Sequence, residues 1–191
     1  MFFITFRLND SLPQTLVRTL SQQLEDAIHR IEKEENVDRE LRVKEERKRS
    51  FGKVDKVLDK GSYGNCWLRR PEIAQTLADK LWEYHQDLYN LQAYCIMPNH
   101  VHLLMDTSIQ KEGDKPIKLD EIMRRIKGGS AREINQKLNR KGRLWQKDSY
   151  DYLVRDQEEW ERIYAYLLNN PVKAGLVDQA SKWEFSYGCN E

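Results

Sequence analysis

The chain has 191 residues, 39% hydrophobic and 10% aromatic, which suits one domain with a real core. Charged residues reach 33% but the formal net charge is only +1, so an indiscriminate polycation is excluded and any nucleic-acid surface must come from local clustering. Cys66, Cys95 and Cys189 are scattered, odd in number and form no CxxC pair, and no apolar run approaches membrane-spanning length, which argues against a zinc knuckle, a disulfide framework and a membrane protein.

The opening MFFITFRL has no basic region before its apolar residues and soon meets Arg7 and Asp10, unlike a signal peptide. A reduced, cytoplasmic protein is expected. Residues 2–8 are aromatic and β-branched and predict a strand, and Asn9 to Pro13 a turn. Leu16, Leu20, Leu24, Ile28 and Ile31 then recur at helical spacing through about Glu35. Residues 36–60 are dominated by charge, with nine basic and five acidic residues between Arg39 and Lys60. They read as an extended helix and loop, a solvated insertion at about 36–62 in a single domain spanning 1–191.

Residues 71–90 predict a helix with Ile73, Leu77, Leu81 and Tyr84 on one face. In LQAYCIMPNHVHLLMD, two apolar runs (91–97 and 101–105) flank Pro98-Asn99, which fits a hairpin. A polar loop over 107–117, with Gly113 and Pro116, precedes a helical pattern over 118–139 that Gly128-Gly129 should interrupt or kink. Residues 144–154 predict a strand, and 157–169 a short helix ended by Pro171. The alternation predicts an α/β (α+β) sandwich, with an antiparallel sheet of ferredoxin-like or RRM-like type flanked by helices.

His100 and His102 are two apart on a predicted strand, so both project to one face, where two imidazoles can share a divalent metal. The bland alternative is two surface histidines. In the later helix, Asp156 suits the N-cap and Glu159 the position of its capping-box partner. Tyr166 and Asn170 lie one turn apart, a hydroxyl beside a carbonyl-bearing amide. The residues alone favour a core tyrosine and a capping asparagine there. His29 and His85 stand on helices without paired ligands and read as surface or boundary residues, and Trp82 and Trp183 as core.

YCIMPNHVHLLM (94–105) resembles the HUH signature of single-tyrosine transposases. YLLNNPVKAGLV (166–177) is similar to the nucleophile helix of the REP-associated branch, and FFITFRLNDSLP (2–13) and WEFSY (183–187) to its opening and closing strands. The resemblance runs almost the length of the chain but offers no counterpart for 36–62. It implies an HUH endonuclease fold, with Tyr166 as nucleophile and His100, His102 and Asn170 as ligands of Mg²⁺ or Mn²⁺. Asn170 departs mildly from the glutamine that other members carry. The implied activity is cleavage and transfer of single-stranded DNA, on hairpin-forming repeats, through a 5′-phosphotyrosine. Relatives from small insertion sequences act as homodimers.

A substrate surface is also expected. Residues 124–147 hold nine basic residues against the single acid Glu133. Arg124, Arg125, Lys127, Arg132, Arg140, Lys141 and Arg143 are the phosphate-binding residues this suggests, with Trp145 available to stack on a base. Three rival readings use the same residues. They are a catalytically silent DNA-binding regulator, a metal-dependent single-strand nuclease and a structural zinc protein.

Overall fold

The structure is a computed structural model and describes residues 1–34, 38–109 and 117–189. The chain divides into two compact units, one of Met1–Asn9 with Asn65–Glu191 and one of Asp10–Gly64.

The larger unit is built on strands β1 (Phe2–Arg7), β2 (Asn90–Ile96), β3 (His100–Asp106), β4 (Tyr150–Leu153) and β5 (Ser186–Gly188). They form one antiparallel sheet in the order β4-β1-β3-β2-β5. The first four strands carry the order of a ferredoxin-like sheet, and β5 extends its β2 edge. The expected fold class is therefore observed. The alternation of side chains divides the sheet into two faces. Ile4, Phe6, Val101, Leu103, Met105 and Ile96 are buried in the main core. They share that core with Ile73, Leu77 and Leu81 of a helix over Pro71–Glu83 and with Ile122, Ile126 and Ile134 of one over Leu119–Lys137. Phe3, Thr5, His100, His102, Tyr150 and Tyr152 occupy the alternate positions, on the opposite face. A helix over Gln157–Lys173 packs on the sheet at β2, β3 and β5.

The smaller unit is a pair of packed helices, Gln14–Lys33 and Arg39–Asp59. In chain order the helices are α1 to α5: α1 and α2 this pair, α3 over Pro71–Glu83, α4 over Leu119–Lys137, α5 over Gln157–Lys173. Asp38 caps α2 by accepting from the Leu41 N–H at 3.0 Å. The charged stretch is thus mainly regular helix, as its Arg, Lys and Glu content favours. Leu20 and Leu24 of α1 meet Glu46, Ser50 and Lys53 of α2 along one narrow cleft.

Several expectations change. Helix α4 runs unbroken through Gly128-Gly129. Gly129 leaves room for the Lys80 stem, whose Cδ and Cε would lie 3.2 Å from an added Cβ, and Lys80 goes on to pair with Glu133 at 2.8 Å. Close packing of two helices, rather than a kink, is what this glycine serves. Helix α5 continues past Pro171 to Lys173, because the ring removes one N–H while the Ala174 N–H still reaches the Asn170 carbonyl at 2.9 Å. The strand expected over 144–154 is confined to Tyr150–Leu153, preceded by a single bridge between Leu8 and Trp145. Trp82 is exposed rather than core, its ring edge-on to His85 and Tyr187. The expected loop over 107–117 lies largely outside the described residues, as do 35–37. Among the described residues no helix is long and apolar enough to cross a membrane.

Candidate active site

The β2–β3 hairpin closes through the Met97 N–H and the His100 carbonyl at 2.9 Å, and the Leu8 N–H fixes its turn through the Asn99 carbonyl at 2.9 Å. This brings His100 and His102 to the same face, both fully buried, with their Nε2 atoms 3.0 Å apart. At a metal–nitrogen distance of about 2.1 Å, two adjacent ligands at right angles stand about 3.0 Å apart. The observed spacing therefore fits two nitrogens of one metal shell. The outer nitrogens are engaged as well. His100 Nδ1 lies 2.7 Å from Asn99 Oδ1, and His102 Nδ1 lies 2.8 Å from Thr5 Oγ1.

Tyr166 comes to the same place. Its ring is edge-on to His102, with centroids 5.7 Å apart, and edge-on to Phe3 at 6.2 Å. The Lys173 ammonium sits 5.0 Å from the ring centroid. A cation over an aromatic face is attracted by its quadrupole, and here it adds positive charge beside the hydroxyl-bearing ring. Asn170 is fully buried, and neither atom of its amide has a hydrogen-bond partner among the described residues. An unpaired buried amide costs roughly 1–3 kcal/mol, so its carbonyl oxygen is open to a ligand. Two converging imidazoles and an amide oxygen of this kind fit a divalent metal.

Tyr164 and Tyr152 are otherwise engaged. Tyr164 donates to the Cys189 carbonyl at 2.8 Å and stacks on Trp160. The Tyr152 hydroxyl bonds Glu159. Asp156 caps α5 through the Glu159 N–H at 2.8 Å, but Glu159 accepts from Tyr152 and the Arg155 N–H (3.3 Å) instead of closing a reciprocal box. Arg162 faces Glu159 at 3.7 Å, so the cation beside Tyr166 is Lys173, which the sequence reading did not single out. His85 is half-buried and accepts from the Leu91 N–H at 3.0 Å, and His29 is exposed beside Glu32, a boundary and a surface residue.

The basic stretch is less uniform than its sequence. Arg124 and Arg125 both pair with Glu121, just upstream of the basic stretch (2.7 and 3.0 Å). Their guanidiniums hold the Glu121 carboxyl down to about 2. Arg140 lies over the Trp67 ring at 4.3 Å and bonds the Arg143 carbonyl at 3.2 Å. Arg132, Lys141 and Arg143 are exposed. Trp145 is the correction: it is buried against Phe6, with centroids 4.9 Å apart, and its Nε1 donates to Ser130 at 3.0 Å. Its ring offers no face for a base. Arg124, Lys127, Arg143 and Lys147 line a groove of about 760 Å³, together with Asp120, Asp148 and Asp151. Ile4 also lines it, which places the groove on the sheet face opposite the histidines.

Comparison with known proteins places the chain in a family. Residues 66–170 match the model of the family described as Transposase IS200 like. A REP-associated tyrosine transposase of Escherichia coli K12 is 27% identical over 98 residues, which cover 51% of this chain and 53% of that protein. A Haemophilus influenzae Rd protein provisionally given the same name is 27% identical over 99 residues, covering 49% and 56%. The chain spans about half the length of the curated relatives it matches. A solved structure, described as a REP-associated tyrosine transposase bound to a REP hairpin, aligns at 20% identity with a TM-score of 0.47. That alignment covers 97% of this chain and 74% of the other. With a matched segment that takes in the histidine pair, Tyr166 and Asn170, the chain belongs to the IS200-like transposase family.

Proposed function

We propose that this chain cleaves and rejoins single-stranded DNA, with Tyr166 as the nucleophile and hairpin-forming repeat sequences as the substrate. The observation that carries the reading is the Tyr166 ring beside His102, on the sheet face where the two histidine Nε2 atoms converge. The Tyr166 oxygen attacks the scissile phosphorus and forms a 5′-phosphotyrosine. The bond from phosphorus to the 3′-oxygen breaks, the phenol gives up its proton, and the released 3′-oxygen takes one up. Phosphodiester energy is kept in the linkage, so attack by another 3′-OH reverses the step without a nucleotide cofactor. His100, His102 and Asn170 would hold Mg²⁺ or Mn²⁺, which when bound polarises the phosphate. Lys173 adds a positive charge beside the same ring.

Arg124, Lys127, Arg143 and Lys147 favour phosphates in the groove on the opposite face. Strand β4, four residues long and at the sheet edge, separates that groove from Tyr166. A strand rounding this edge reaches both. The names of the relatives, which are REP-associated, support REP sequences as the DNA class.

The test is incubation of the purified chain with labelled hairpin-bearing single strands in Mg²⁺ or Mn²⁺. A denaturation-resistant adduct that disappears in His100→Ala and in His102→Ala is the expected result. Binding without an adduct would favour a DNA-binding regulator, and free cleaved ends without an adduct a nuclease.

A further inference from the structure

We infer that Thr5 and Asn99 are positioning residues that set which ring nitrogen of His102 and of His100 faces the centre of the site. This rests on the reading of the two histidines as metal ligands.

Thr5 stands opposite His102 in the β1–β3 register, and Asn99 ends the turn that leads into His100. Both are buried, and each reaches the Nδ1 atom of its ring, at 2.8 and 2.7 Å. The Nε2 atoms face each other at 3.0 Å. Asn99 Oδ1 only accepts, so it holds the His100 hydrogen on Nδ1 and turns Nε2 to the centre of the site. The Thr5 hydroxyl can donate or accept, so it partners His102 Nδ1 in either tautomer of that ring.

Ligation through both Nε2 atoms requires both hydrogens on Nδ1, where the Asn99 amide oxygen and the Thr5 hydroxyl each accept one. A hydroxyl serves both tautomers, whereas an amide oxygen serves one. Asn99 is thus a fixed acceptor and Thr5 a reversible partner. Such outer partners orient ligating imidazoles and raise their basicity.

The experiment uses the full chain and Mn²⁺ as the probe. Thr5→Val keeps the shape and branching of threonine but removes the hydroxyl, and Asn99→Leu removes the acceptor. Both should weaken Mn²⁺ binding roughly 10- to 100-fold in a chain that still unfolds cooperatively. Thr5→Ser and Asn99→Asp should restore most of the affinity. Nitrogen-15 spectra of the metal-free wild type should show His100 protonated on Nδ1. Wild-type Mn²⁺ affinity in Thr5→Val, or a neutral His100 protonated on Nε2, would overturn the inference. Should Asn99→Leu fail to fold, Thr5→Val and the spectra decide alone. A wild type that binds Mn²⁺ but forms no DNA adduct defeats the strand-transfer reading only. An adduct-forming protein indifferent to Thr5→Val defeats this inference only.

Discussion

Tyr166 stands edge-on to His102, with ring planes at 73° and centroids 5.7 Å apart, while Tyr164, two residues earlier on α5, donates its hydroxyl to the Cys189 carbonyl. The helix thus sends one tyrosine to the histidines and uses the other to hold the chain beside β5. Tyr166→Phe removes only a hydroxyl, so it should abolish the covalent adduct with DNA affinity and melting temperature unchanged. Tyr164→Phe should remain active and lose about 1 kcal/mol of stability, the net worth of one hydrogen bond. Peptide mapping of an adduct to Tyr150, Tyr152 or Tyr164 would refute the assignment.

Asn170 yields a prediction of opposite sign in stability and binding. Its buried amide has no partner among the described residues, so Asn170→Leu removes two unsatisfied polar atoms at similar volume. The metal-free variant should be more stable than wild type by about 1–3 kcal/mol in denaturant titrations, yet bind Mn²⁺ more weakly. A variant that is less stable and binds Mn²⁺ as wild type does would show that Asn170 serves the fold and not the site.

Glu121 holds both Arg124 and Arg125, so its charge opposes theirs on any phosphate they reach. Glu121→Gln should strengthen binding to hairpin DNA and steepen its salt dependence. Reversing Arg124 and Arg125 together should do the converse, flattening the log–log slope by about one unit for each phosphate no longer neutralised. Equal salt slopes in all three proteins would place the DNA elsewhere.

Lys127 predicts a pH effect. It donates to the Lys147 carbonyl at 2.8 Å and to Ser149 Oγ at 3.1 Å. Burial pushes its ammonium down to about 8, with Arg7 adding to the fall and Asp148 opposing it. The folded chain therefore gives up this proton near pH 8, while the unfolded chain keeps it to about pH 10.4. Between these values the unfolded state binds more protons, so this residue makes stability rise with pH across that window. Lys127→Gln should lack the increment. Denaturation midpoints of the two proteins at pH 7.5 and pH 10 measure it, and equal changes in both would contradict the shift.

The parts of the site that lie close in sequence were legible there. Alternation alone puts His100 and His102 on one face, and the i, i+4 spacing puts Tyr166 and Asn170 on neighbouring turns. The partners that come from afar were not. Thr5 lies 97 residues from His102, and only the β1–β3 register pairs them. Trp145 sits in a basic run that suggested exposure, yet Phe6, still more remote in sequence, buries it. Glu121 stands three and four residues before the arginines it holds, a spacing that sequence does carry, but it precedes the run in which the basic residues cluster. The glycine pair in α4 read as a break because a glycine states backbone freedom without naming what packs there, here the Lys80 stem.

In β1, side chains that build the core alternate with side chains that serve the site, and this restricts how the gene can vary. Phe3 and Thr5 meet Tyr166 and His102, while Ile4 and Phe6 belong to the hydrophobic core. Inserting or deleting one codon there would turn Ile4 or Phe6 toward the histidines and send a hydroxyl into the core. Point substitutions in β1 alter one role at a time, whereas a one-residue length change exchanges both together. Natural variation in this strand should therefore consist of replacements at constant length, and drift in length should be confined to segments where no such alternation is shared.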